Sequence, residues 1–226
     1  MEHGSEAVVF DMDGVIVDSE VYWEPEKETI IDEALVSDDD KDEVSPEDLT
    51  GINVLDQYEL LSERGYEMAV TEEEYFDLYD SRAEAIYTEK VSLTDGFDDL
   101  LNEIRERGLK TAISTSSFPS WVEMVLERFE LEDSFDVVVS ADEIDVEGKP
   151  EPDIYEYVAS ELGVNPEDCI VVEDSETGIE SARRSGAYCI GYSASGDPDH
   201  LENADEVARD PESLRDAVVS KIEDAT

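Results

Sequence analysis

Short apolar runs that close on polar clusters constrain this chain more than any other feature. Ala7-Val8-Val9-Phe10 offers water no polar side chain on either face of a strand. A strand made from it must be covered on both sides, as strands of a parallel sheet are. The run ends in Asp11-Met12-Asp13-Gly14, which reads as a turn. The pattern returns after Asp95-Gly96, with strands expected at Lys110–Ser114, Asp136–Val139, Cys169–Val172 and Ala187–Tyr192, and a short one at Glu206–Ala208. Segments with helical spacing separate them: Phe97–Arg107 stopped by Gly108, Pro119–Phe129, Pro152–Leu162 stopped by Gly163, Gly178–Ser185 and Pro211–Ile222. Strands alternating with helices predict an α/β fold with a doubly wound parallel sheet.

Residues 20–92 have another texture. They are rich in Glu, Leu and Tyr at helical spacing, as in Tyr75, Phe76, Leu78 and Tyr79, and hold no convincing strand. Ser45-Pro46-Glu47-Asp48 reads as a helix start, with Ser as cap and Pro in the first turn. A chain of 226 residues has room for one domain with a large insert. The expected division is a core of residues 1–19 and 93–226 and an inserted α-helical cap domain of residues 20–92.

Ligands of open α/β sheets bind beyond the carboxyl ends of the strands. Four of those ends carry residues suited to a phosphate: Asp11-Met12-Asp13-Gly14, Ser114-Thr115-Ser116-Ser117, Gly148-Lys149-Pro150 and Glu173-Asp174-Ser175. Each has an ordinary reading when taken alone. Asp11 and Asp13 are turn formers, Thr115 or Ser116 caps the helix before Pro119, Lys149 is a solvated lysine, and Glu173-Asp174 opens a helix. Taken together, they gather three or four carboxylates, a hydroxyl and one lysine around a single point. Such carboxylates repel one another unless a cation sits among them. Oxygen ligands and phosphate chemistry favour Mg2+, which binds through a few carboxylates plus substrate and water.

The whole chain is acidic, with 64 Asp+Glu against 15 Lys+Arg and a formal net charge of −49. Such a surface argues against nucleic acid or an anionic membrane as partner. Hydrophobic residues make up 40% of the sequence, enough for a packed core despite the charge. No apolar run approaches the roughly 20 residues of a membrane span, and Met1-Glu2-His3-Gly4-Ser5-Glu6 has no secretory character, so a cytoplasmic protein is expected. The acids are dispersed and the lysines scarce, a pattern that resembles cytosolic proteins of salt-accumulating halophiles. At about 1 M salt the Debye length shrinks to about 3 Å, which removes most of the self-repulsion. The rival reading is an acidic surface made for a basic partner. Asp38-Asp39-Asp40-Lys41-Asp42-Glu43 is the nearest approach to the charge block such a protein would show. Cys169 and Cys189 sit in apolar runs and read as buried free thiols of a reducing compartment.

Four stretches together resemble the haloacid dehalogenase-like hydrolase superfamily. Phe10-Asp11-Met12-Asp13-Gly14-Val15-Ile16-Val17-Asp18-Ser19-Glu20 is similar to its first signature and Thr115-Ser116-Ser117 to its second. Gly148-Lys149-Pro150-Glu151-Pro152-Asp153 is similar to the third, and the stretch from Val172 to Ala182 to the fourth. The resemblance runs in order along essentially the whole chain. It implies a Rossmann-like core, a helical cap and Mg2+-dependent phosphoryl transfer. Asp11 would be the nucleophile that forms an aspartyl-phosphate, and Asp13 the general acid and then base. The Thr115 hydroxyl and the Ser116 N–H would bind a phosphoryl oxygen. Lys149 would neutralise charge on the nucleophile and phosphoryl group. Asp174 would bind Mg2+ directly and Glu173 directly or through water, with Asp11 and the Asp13 carbonyl completing the protein ligands.

The branch can also be read. An acid at Asp13 favours phosphate over halide substrates. Many family phosphatases carry a second Asp where this chain has Gly178, so it falls with the Glu-Asp pair type that includes β-phosphoglucomutase and many sugar-phosphate phosphatases. The mutases resemble one another in a cap His and a cap Arg. Here those positions align with Trp23 and with Val54, after Gly51-Ile52-Asn53. The expectation is a phosphomonoester hydrolase acting on a small phosphorylated metabolite, a sugar phosphate or phosphoglycolate, with a monomer as default. A hexose-phosphate mutase is the alternative enzyme, and a non-catalytic acidic binding protein the alternative of another class.

Overall fold

The computed structural model describes residues 4–49, 52–193 and 201–224. Residues 1–3, read above for an N-terminal signal, and Gly51, used to align the cap, lie outside the described residues. Six strands, β1 (Ala7–Phe10), β2 (Lys110–Thr115), β3 (Val137–Ser140), β4 (Cys169–Glu173), β5 (Tyr188–Tyr192) and β6 (Glu206–Ala208), form one sheet in the order β3-β2-β1-β4-β5-β6. Every pairing is parallel. The chain walks outward from β1 to β3, then returns to the far side of β1 as β4. That reversal opens a crevice beyond the carboxyl ends of β1 and β4.

Nine helices accompany the strands among the described residues. α1 (Glu20–Ala34), α2 (Asp38–Glu43), α3 (Val54–Glu63) and α4 (Glu72–Ala85) lie between β1 and β2. They are followed by α5 (Phe97–Glu106), α6 (Pro119–Arg128), α7 (Asp153–Leu162), α8 (Glu176–Ser185) and α9 (Pro211–Asp224). The core helices explain why β1 is apolar throughout. Val8 and Phe10 join the cluster that contains residues of α5, α6 and α9, while Ala7 and Val9 join the one with α7 and α8. The edge of Phe97 meets the ring of Phe10 at 5.2 Å. Phe97, Leu100, Leu101 and Ile104 make one buried stripe along α5 at the i, i+3, i+4, i+7 spacing. Burying each such side chain contributes about 1.5–3 kcal/mol. Cys169 and Cys189 are free and buried as expected, and burial pushes the Cys169 thiol up to about 12.

The cap holds one departure from the sequence reading. Pro46–Leu49 forms a single 3-10 turn and no longer helix starts at Ser45. The Asp48 carboxylate accepts from the Ser45 N–H across that turn. α3 begins later, capped by Asn53, whose side chain accepts from Leu55 N–H at 2.9 Å. The acidic block at Asp38–Glu43 is a short solvated helix capped by Ser37, with no buried residue. Its first-turn acids complement the helix dipole. A π-helical turn, Ile86–Lys90, leads out of the cap. The two crossings between cap and core lie side by side, bridged at Val17 and Leu93. Contacts that seat the cap on the core include Phe76 against Phe118 at 4.6 Å, Trp121 Nε1 donating to Asp80 at 3.0 Å, and Asn53 Nδ2 donating to the Ser116 carbonyl at 3.2 Å.

Candidate active site

The polar ends of β1, β2 and β4 meet under the cap because the strands are in parallel register, with Phe10 beside Ile113 on one side and Val172 on the other. They form the floor of an open cleft, which includes Asp11, Asp13, Thr115, Ser116, Lys149 and Asp174. Each of these was expected from the sequence. Glu173, the remaining one, lies beneath the floor and is fully buried.

Lys149 is 8% exposed, which removes the reading of a solvated lysine. Its Nζ donates to Asp11 Oδ1 at 2.5 Å and to Glu173 Oε1 at 2.6 Å. Burial opposes its charge, but the two carboxylates outweigh that and hold its pKa above the usual lysine range. Asp11 feels the reverse balance. Burial, then repulsion from Glu173 and Asp13, overcome the pull of Lys149 and raise its carboxyl to about 8. Asp174 is also pushed well above the usual range, by burial first and then by Glu20, Asp11, Glu173 and Asp13. Like charges about 4 Å apart repel by about 4 kcal/mol at an effective dielectric of 20. Three floor carboxylates, with Glu173 beneath them, against one ammonium leave the site short of positive charge.

Glu173 is held entirely by protein groups. Oε1 accepts from Lys149 and from the Tyr155 hydroxyl at 2.6 Å, and Oε2 from the N–H groups of Asp174 and Ser175 and the Ser175 hydroxyl. A Cβ on Gly178 would lie 2.0 Å from the Glu173 carboxyl, so the glycine noted in the fourth motif makes room for that carboxylate over the first turn of α8. For Glu173 to bind a metal directly, one of these bonds would have to be exchanged for the ion. Asp174 sits at the floor. A Cβ on Gly14 would lie 1.8 Å from Asp174 Oδ2, and Gly14 has φ +73°. Only glycine lets this acid approach the β1 turn.

These hard oxygen donors suit a divalent cation such as Mg2+. Among the described residues no three His, Cys, Asp or Glu side chains form a ready-made cage. The ion pair explains this, because Lys149 draws Asp11 and Glu173 onto itself. Asp11 and Asp174 line the cleft and would be the carboxylates placed to share such an ion with waters and phosphate, as Mg2+ prefers.

Asp13 faces the cap. Oδ1 accepts from the Ser19 hydroxyl at 2.6 Å and the Tyr87 hydroxyl at 2.7 Å, and Oδ2 from Ser117 at 2.5 Å. Thr115 is 1% exposed and its Oγ1 accepts from the Ser117 N–H at 3.1 Å. It does not cap α6; the capping position is Phe118, without a side-chain bond. The opening of α8 is capped by Ser175 and not by the acids before it. Above the floor, Trp23, Leu49, Ile52, Val54, Tyr79 and Trp121 make an apolar wall. Its only cation among the described residues is Lys27, paired with Glu20 at 3.2 Å.

The family model for haloacid dehalogenase-like hydrolases matches residues 6–186. The chain belongs to this family. Hexitol phosphatase B of Escherichia coli is 29% identical over 177 residues, 78% of each chain. β-Phosphoglucomutase of Bacillus subtilis is 31% identical over 196 residues, 82% of each chain. Among solved structures, β-phosphoglucomutase from Clostridium difficile shares the fold, with a TM-score of 0.77 at 23% identity over 97% of this chain and 98% of that one. The protein is thus an enzyme of the haloacid dehalogenase-like phosphatase type, with a Rossmann-like core and an inserted helical cap. No helix among the described residues is long and apolar enough to cross a membrane.

Sequence reasoning missed Ser19, Tyr87, Ser117 and Tyr155. Ser19 and Ser117 lie within the stretches already singled out, and their hydroxyls were a usable signal. Tyr87 and Tyr155 sit in ordinary helical text, and nothing local marks them.

Proposed function

We propose that this enzyme is a Mg2+-dependent phosphomonoester hydrolase that acts on a small phosphorylated metabolite, of the sugar-phosphate or phosphoglycolate type, through an aspartyl-phosphate. The observation that carries the reading is the pair Asp11 and Asp13. They are two residues apart on one turn, with one carboxylate on Lys149 and the other on three hydroxyls, those of Ser19, Tyr87 and Ser117. Opposite surroundings suit opposite roles.

An Asp11 oxygen attacks phosphorus, and the bond to the leaving oxygen breaks as Asp13 delivers a proton to it. Asp13 then takes a proton from water, whose oxygen attacks the phosphoryl group and returns Asp11 to its free carboxylate. The Thr115 hydroxyl and the Ser116 N–H orient the phosphoryl oxygens, and Lys149 balances their charge. Mg2+ would be held by Asp11, Asp174 and the Asp13 carbonyl, with Glu173 directly or through water, and would supply further neutralisation of the phosphoryl oxygens.

Hydrolysis is favoured over the mutase alternative by Trp23 and Val54, both of which line the cleft where the aligned mutase positions would need a His and an Arg. We divide the chain into a core of residues 1–19 and 93–226 and a cap of residues 20–92. The dispersed acids we read as an adaptation of a cytoplasmic monomer to high salt. The test is a panel of phosphorylated metabolites with Mg2+, scored for inorganic phosphate. Phosphate released from sugar or polyol monophosphates supports the reading. Isomer formation from β-glucose 1-phosphate without phosphate release would move it to the mutase, and no turnover would remove it.

A further inference from the structure

We propose that Tyr87 is a positioning residue for Asp13: it pins Oδ1 and so leaves Oδ2 as the oxygen that gives and takes the proton. The inference rests on the phosphatase reading and goes beyond it, to a residue from the exit of the cap.

The donor pattern is asymmetric. Oδ1 already receives Ser19 and Tyr87, whereas Oδ2 receives Ser117 alone. The direction of the Tyr87 bond is fixed by its neighbour. The indole N–H of Trp23 can only donate, and it donates to the Tyr87 oxygen at 3.0 Å. With that side of its oxygen taken, the phenol turns its own proton to the Asp13 carboxylate at 2.7 Å, a closer and stronger acceptor than the Ser117 hydroxyl at 3.5 Å. The Ser117 hydroxyl is under no such constraint. It can donate to Oδ2 when Asp13 is ionised and accept from it when Oδ2 carries the proton.

Tyr87 is placed firmly enough for this role. It is fully buried, so water does not compete for its hydroxyl. Its ring packs between Trp23 at 6.0 Å and Trp121 at 5.9 Å. Its backbone lies in the π-helical turn at Ile86–Lys90, and Arg128 from α6 donates to the carbonyls of Tyr87 and Glu89 at 3.0 and 3.2 Å. Trp23 follows the first crossing into the cap and Tyr87 precedes the second. The acid is thus oriented by residues from both crossings.

The chemical consequence is selective. The proton on Oδ2 passes to the leaving oxygen as its bond to phosphorus breaks, and the water attacking in the second step returns a proton to Oδ2. An alkoxide leaving group needs that proton, and a nitrophenolate hardly does. A residue that only aims the acid should therefore matter for alkyl esters in kcat and little for aryl esters or for KM.

The experiment compares the full chain with Tyr87→Phe and Trp23→Phe, in Mg2+, on a hexose or polyol phosphate and on p-nitrophenyl phosphate, with thermal melts alongside. Tyr87→Phe should lower kcat on the alkyl ester by about 10- to 100-fold, a part of what full acid catalysis supplies, with the aryl ester changed by less than about 2-fold and KM for both held within about 3-fold. Trp23→Phe should shift the same ratio in the same direction by a smaller factor, because it frees the phenol proton without removing it. Equal losses on both esters, or no loss on the alkyl ester, would overturn the role. If Tyr87→Phe melts far below the parent, both are assayed at a temperature where each is folded: a selective alkyl loss in kcat supports the proposal and an unselective one overturns it. A parent enzyme that releases no phosphate from either ester would instead overturn the phosphatase reading, and this role with it.

Discussion

The cleft floor and the outer surface of this enzyme are built from the same side chains and use them in opposite ways. At and just beneath the floor, four carboxylates gather near one buried lysine, which pairs with Asp11 and Glu173, while Asp13 accepts from Ser117. On the surface, acids such as Asp38, Asp39, Glu72 and Glu73 open helices and face water. Burial is what separates them. A carboxylate in water is screened within a Debye length, while one in the floor keeps most of its repulsion and shifts its proton affinity. The floor concentrates its charge at one point for chemistry, and the surface spreads a larger charge so that no single acid matters.

The largest test of that contrast is at the nucleophile. Asp11→Asn should reduce turnover by at least about 10⁴-fold, since a neighbouring acid cannot take over a covalent role. Single-turnover assays with a radiolabelled ester would measure it, and retained turnover would remove Asp11 from the mechanism.

Metal demand comes next. Chelator should abolish activity, and Asp174→Ala should raise the Mg2+ needed for half-maximal rate by about 10- to 100-fold, the scale seen when a metal site loses a supporting group. A rate indifferent to chelator would leave the charge of the floor without its counterion.

The floor should also give the metal-free protein a pH dependence that the surface lacks. The Asp11 carboxyl is raised to about 8 from its ordinary 3.8, and Asp174 is raised as well. A raised acid stabilises the fold fully below its unfolded pKa, and that contribution is lost as pH rises through the folded value. Melts of chelated protein should therefore fall as pH rises from about 4 to about 8, and Asp11→Asn should flatten the curve. Mg2+ should offset the fall, because a bound cation takes over the charge balance. A flat melt curve in chelator would mean that the acids of the floor are not strained.

The smallest effect belongs to any one surface acid. Glu28→Gln, exposed on α1, should change stability by less than about 0.5 kcal/mol. The whole set should nevertheless show itself in salt. Lowering KCl from about 3 M to about 0.1 M extends the Debye length to about 10 Å and should lower the melting temperature, while Asp174→Ala keeps the KCl response and loses the Mg2+ response. A melt unaffected by KCl would revive an acidic surface made for a basic partner.

How far the sequence reached depends on the range of the interaction concerned. The strands were legible because a buried parallel strand must be apolar on both faces, and Ala7–Phe10 and Cys169–Val172 have no other way to be stable. The floor was legible because Asp11, Thr115, Lys149 and Asp174 follow strand ends, or nearly so, and parallel register brings such ends together. Local text misled at Ser45-Pro46, where a good start signal yields one turn closed by the Asp48 carboxylate on the Ser45 N–H, and Asn53 supplies the cap of the later helix. It was silent on what holds Asp13. The Tyr87 bond spans 74 residues and the Ser117 bond 104. The ion pair joining Asp11 to Lys149 spans 138. The residue types and their order therefore fixed the sheet and the set of reactive groups, through burial and periodicity, which act over a few residues. Which oxygen of Asp13 is left to work, and that Glu173 is turned onto Lys149 and α8, were decided only when the closed chain brought those distant side chains within hydrogen-bond range.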